Sequence, residues 1–113
     1  MTEVSVGLSD GRIAAIVATG HSGFAEKGED VVCAAVSALL QALAYGFERV
    51  LFSENFICTI QEEEARMMLD WRRSPPGNET VLVQTVVGSL KEIERIYPDY
   101  VRIVEVLVDD MEF

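Results

Sequence analysis

Residues Val31 to Ala44 form an apolar run broken only by Ser37 and Gln41. A helix that is apolar almost all round has to be covered on more than one side. The run therefore demands further layers of structure. Asp30, directly before it, is a helix-start signal, and Gly46 suits the position that ends a helix. A first helix is predicted over 31–44. Its alanines, Ala34, Ala35, Ala38 and Ala42, allow another element to approach closely. That element is either a sheet or a second copy of the chain.

The sheet is legible in the flanking segments. Val4, Val6 and Leu8 alternate with Glu3, Ser5 and Gly7, the period of a half-buried strand. Ser9-Asp10-Gly11 marks a tight turn into a second, more apolar strand over 12–19. Segments 56–61 and 65–71 read as two more strands around the acidic connection Glu62-Glu63-Glu64, with Val50 to Phe52 as a brief strand or lead-in. Arg72 to Asn78 is a proline-containing surface loop. In the next segment Val83, Val86, Val87, Leu90, Ile93 and Tyr97 recur at three- and four-residue spacing. They make one stripe of a second helix, from Glu79 or Thr80 to Ile96 or Tyr97, stopped by Pro98. A last strand over 100–108 and a short acidic tail over 109–113 complete the order β-β-α-β-β-α-β. Hairpin connections imply a mainly antiparallel sheet with two helices packed on it, an α+β two-layer sandwich. At 113 residues the chain is read as one domain, 1–113.

The formal net charge is −10. Nucleic-acid binding rests on Lys and Arg facing phosphates, so direct binding of that kind is not expected. The acidity suits solubility or a basic partner. No apolar run is expected to reach the roughly 20 residues that span a bilayer, and no secretory signal opens the chain. Two cysteines, Cys33 and Cys58, are too few for a disulfide framework. Reduced thiols and a cytoplasmic location are the expectation. Neither a metal site nor a cofactor is expected, because one histidine and two scattered cysteines lack zinc spacing.

The chemistry-bearing stretch runs from Gly20 to Ser37. His21, the single histidine, opens a loop punctuated by Gly23 and Gly28. Cys33 follows Asp30 by three residues. With Asp30 as cap, Cys33 falls in the first helical turn, where free N–H groups and the helix dipole favour a thiolate and can hold an oxyanion. An imidazolium from His21 folded over that turn would add to the effect. Ser37 lies one turn further along the same face, where its hydroxyl can bond to the Cys33 carbonyl, to His21 or to a substrate. Against this stands a plainer reading: a small core cysteine and a surface histidine. Cys58, in a strand, reads as a core residue.

Gly20-His21 followed by Gly28-Glu29-Asp30-Val31-Val32-Cys33-Ala34-Ala35-Val36-Ser37 closely resembles the signature of the ribosomal-processing cysteine protease family, Prp. Val31 replaces the usual Ile. The resemblance implies an endopeptidase of Firmicutes and related bacteria that works as a homodimer. It implies removal of the N-terminal extension of large-subunit ribosomal protein number twenty-seven, with cleavage after an aromatic residue. Carried over, Cys33 is the nucleophile and His21 the general base. Ser37 matches a position near the site, and Asp30 either orients His21 or caps the helix. The competing reading is a non-catalytic ribosome-assembly binding domain that keeps the motif for packing.

Overall fold

The computed structural model describes the backbone of residues 1–20 and 27–113, and the side chains of residues 1–20 and 31–113. Strands β1 (Thr2–Ser9), β2 (Arg12–Thr19), β3 (Ile57–Gln61), β4 (Arg66–Asp70) and β5 (Val101–Leu107) alternate with helices α1 (Lys27–Tyr45) and α2 (Glu79–Ile96). The order is the one expected, β-β-α-β-β-α-β.

The β1–β2 hairpin turns at Asp10 and Gly11, both with positive φ, 51° and 79°. A two-residue turn of that hand matches the twist of antiparallel strands, and Asp-Gly is a favoured pair for it. Gly7 pairs with Ala15 but Leu8 pairs with Ile13, so Ala14 is an extra, bulged residue on β2. The sheet order is β3-β4-β2-β1-β5. Three pairings are antiparallel, and β1 with β5 is parallel. The last strand therefore returns to the outer side of β1 through the α2 crossover. That long-range pairing is what a reading by hairpins does not supply.

Both helices lie on one face of the sheet. Val4, Val6, Ile16, Ala18, Met67 and Leu69 meet Val32, Val36, Leu40 and Leu43 of α1 and Val83, Val86, Val87 and Leu90 of α2. The other face is partly covered by the end of the chain. Val108 to Asp110 forms one 3₁₀ turn, Met111 packs on Gly7, and the Arg66 guanidinium donates to the Glu112 carbonyl. The Phe113 ring lies 4.0 Å from the Arg72 guanidinium. The acidic tail expected over 109–113 is thus a folded strap.

Helix α1 departs from expectation in two ways. It begins at Lys27, four residues before Val31. It is also buried on one side only: Val31, Ala34, Ala38, Gln41, Ala42 and Tyr45 are exposed. A single sheet covers about one face of a helix, and among the described residues the small alanines, not a second layer, occupy the other. Residues Val31–Val50 are long and apolar enough, by length and composition, to cross a membrane, contrary to expectation. One stripe of that segment is core, which accounts for part of its apolar character. The helix continues into a π turn, Gly46–Val50, rather than meeting a strand at Val50. The turn delivers Phe47 to the core, where it stacks on Phe56 at 4.6 Å between ring centroids and tilts against Trp71 at 5.0 Å.

Candidate active site

Strand β2 ends at Thr19, and Gly20 donates its N–H to the Ala65 carbonyl at 2.9 Å. That bond ties the end of β2 to the turn between β3 and β4. A cleft of about 190 Å³ opens beside it, between α1 and the ends of β2, β3 and β4. Its apolar wall includes Val36, Leu40, Ile60 and Met67. Cys33 and Ser37, one helical turn apart on α1, both face into it. The Cys33 thiol is half-buried and free of any disulfide.

The expected residues fare differently. Cys33 and Ser37 are brought to one cleft. Ser37 Oγ accepts from the Gln41 amide at 3.1 Å, a partner one turn further along the helix and not among the three expected. His21 lies outside the described residues. Asp30 lies within α1, as its fourth residue, and so is not the cap. Cys33 consequently sits in the second turn, where a backbone N–H bonds to the carbonyl four residues back. The expectation that helix-start N–H groups surround Cys33 is corrected: those groups belong to the turn that opens at Lys27.

The sequence reading missed Thr2. Its hydroxyl oxygen lies 2.7 Å from Cys33 Sγ, and the residue is 4% exposed. Gly20 borders the pair. A β-carbon there would stand 3.2 Å from Thr2 Oγ1 and 3.8 Å from Cys33 Sγ. No local pattern signals this contact, because Thr2 and Cys33 are 31 residues apart.

Cys58 borders a second, more open hollow of about 530 Å³ that continues from the cleft along α1, past Gln41, Ile60 and Met67. Burial, and then the charge of Glu48, push its thiol up from the ordinary value. Both causes hold Cys58 in its unreactive form. Among the described residues no group of acids, histidines and cysteines is arranged to hold a metal.

A two-layer α+β domain that presents a thiol in a cleft has the basic equipment of a small cysteine peptidase. The family described as cysteine protease Prp matches residues 1–102. The ribosomal processing cysteine protease Prp of Mycoplasma genitalium is 35% identical over 92 residues, 80% of this chain and 86% of that one. The crystal structure of the S. aureus ribosomal processing protease Prp with a substrate peptide is similar with a TM-score of 0.82 at 22% identity, over 94% of this chain and 100% of that one. The form with a covalently linked product peptide gives 0.77 at 23% identity, over 94% and 100%. The chain belongs to the cysteine protease Prp family. Its class of activity is therefore that of a cysteine peptidase.

Proposed function

We propose that this chain removes the N-terminal extension of large-subunit ribosomal protein number twenty-seven, cutting after an aromatic residue, with Cys33 as nucleophile and His21 as general base. The observation that carries the reading is Cys33 at the wall of an apolar cleft, in a chain that follows Gly20-His21 with the family's helix motif.

His21 takes the thiol proton and the thiolate attacks the scissile carbonyl. His21 then protonates the leaving amine, and a water activated by the same imidazole releases the acyl group from sulfur. The S. aureus protein crystallised with a covalently linked product peptide, which supports reading the reaction as covalent. Ser37 acts in a supporting role at the cleft wall. Asp30, in the first turn of α1, orients His21. Val36, Leu40, Ile60 and Met67 suit an apolar or aromatic substrate side chain. The net charge of −10 favours encounter with a basic ribosomal protein. The enzyme works in the cytoplasm as a homodimer, and the exposed Val31, Ala34, Ala38 and Ala42 of α1 are its contact surface. It needs no cofactor and binds neither nucleic acid nor membrane directly.

The test is cleavage of a peptide matching the ribosomal protein's N-terminal arm by wild type, Cys33→Ala and His21→Ala. The expected result is cleavage by wild type alone. A Cys33→Ala variant that still cuts overturns the reading. Binding without cleavage by wild type favours the non-catalytic binding domain. Sedimentation of the wild type and of Ala38→Arg tests the dimer, with a monomer expected for the variant.

A further inference from the structure

We propose that Thr2 is a positioning residue for the Cys33 sulfur, its hydroxyl donating a hydrogen bond to the thiolate. The proposal rests on the reading of Cys33 as the nucleophile.

Thr2 is held from three sides. Its N–H donates to the Tyr100 carbonyl at 2.8 Å, its register partner on β5 is Val101, and its side chain is almost wholly buried. Cys33 Sγ is the hydrogen-bond partner of its hydroxyl among the described residues. A buried hydroxyl requires such a partner. Gly20 completes the arrangement, because a β-carbon there would crowd the Thr2 hydroxyl at 3.2 Å.

The direction of the bond depends on the state of the thiol. While the thiol is protonated, either atom can donate. Once the proton has gone to the base, sulfur can only accept and the Thr2 O–H has to donate. Thr2 keeps its own proton throughout. The bond therefore strengthens as the nucleophile forms, since hydrogen bonds to charged groups are the stronger kind. It also holds the sulfur on the cleft side of α1. The same bond weakens the sulfur as a nucleophile only in part, because attack depends on basicity with a coefficient of about 0.4–0.5. The bond acts again when the thioester breaks and the thiolate is regenerated.

Thr2→Val and Thr2→Ser separate the hydroxyl from its packing. Val keeps the shape and loses the donor, whereas Ser keeps the donor and loses a methyl. Peptide cleavage, and iodoacetamide alkylation of Cys33 followed by mass spectrometry with Cys58 as internal reference, are measured beside Cys33→Ala. Thr2→Val is expected to lower kcat about tenfold with KM within about twofold, and to slow Cys33 alkylation by a similar factor. Thr2→Ser is expected to stay within about threefold of wild type in both. Thermal melting checks that the variants fold. If Thr2→Val does not, Thr2→Ala against Thr2→Ser gives the same contrast. Equal rates for Val and wild type overturn the proposal, as does a larger loss for Ser than for Val, which would make the contact one of packing. A wild type that does not cleave overturns the protease reading, and the alkylation rates still decide the role of Thr2.

Discussion

The two ends of strand β2 are built on opposite terms. At its start, Arg12 donates to the Ser74 carbonyl at 3.0 Å and to Glu79 Oε1 at 3.2 Å. Next to it the Trp71 indole donates to the Ile13 carbonyl at 2.9 Å, and the Trp71 N–H donates to the bulged Ala14 carbonyl at 2.9 Å. Ser74 Oγ donates to the Glu54 carbonyl at 2.7 Å, which fastens the proline loop to the segment before β3. Trp71 and Phe47 are fully buried here. At the other end of the strand, Gly20 opens onto a cleft that exposes a thiol. The closed end anchors the fold, and the open end leaves a polar group in reach of a ligand. A domain this small can hold a cleft at one end of its sheet because the other end is sealed.

Cys33→Ala should separate the two ends most widely. On the proposed reading it lowers cleavage by at least about a thousandfold, while stability falls by only the ~1–3 kcal/mol that a Thr2 hydroxyl without its partner costs. Peptide cleavage and calorimetry on the same preparation check this. A large loss of stability would mean that the open end is also structural.

Trp71→Ala works from the other side. It removes the largest fully buried side chain, its ring contact with Phe47 and the indole hydrogen bond. A loss of about 3–5 kcal/mol is expected in urea unfolding. A value near 1 would show that the closed end collapses around the gap.

Glu79→Ala tests the polar part of the seal. Glu79 is 6% exposed at the first turn of α2, and Arg12 is its ion-pair partner. Removing the carboxylate strands a half-buried guanidinium and is expected to cost about 2 kcal/mol. Measurement by the same denaturant series at neutral pH would show the cleavage rate per folded molecule unchanged if the two ends are independent.

The smallest effect belongs to Asp70. Burial pushes its carboxyl up, but two hydrogen bonds from the Arg72 side chain, one from its backbone N–H, and the charges of Arg72 and Arg73 outweigh it. The folded carboxyl therefore ionises below its ordinary range, near 4. Between the two values the unfolded chain binds a proton that the folded chain does not. The contribution to stability is whole above about pH 5 and is lost as pH falls through the folded value. Asp70→Asn should flatten this acid limb of the stability–pH curve and leave the neutral region with a modest loss. An unchanged acid limb would show that other carboxyls dominate it.

The strands and helices were legible because their signals are local. Asp10-Gly11 makes the hairpin through two backbone angles. The α2 stripe follows from spacing along its own turn, and Pro98 ends it two residues after Ile96. In α1 the same logic failed at the start, since Asp30 looked like a cap but Lys27 to Asp30 are already helical. Asp is tolerated in a first turn by the helix dipole as well as at the cap, and the sequence alone does not separate the two positions. Cys33 and Ser37 were legible as one face for the reason that α2 was: a helix repeats every three to four residues.

Which residues meet that face depends on contacts between distant elements. The parallel pairing of β1 with β5 places Thr2 at the sheet end where α1 crosses, and there its hydroxyl finds Cys33. The fold likewise chose which side of α1 is core, the Val32–Val36–Leu40–Leu43 stripe, although alanine and valine on the other side made both look buried. Local sequence carries the period of an element and the residues that start and stop it. Contacts between elements far apart in the chain depend on which apolar surfaces close over one another, and no single segment holds that information.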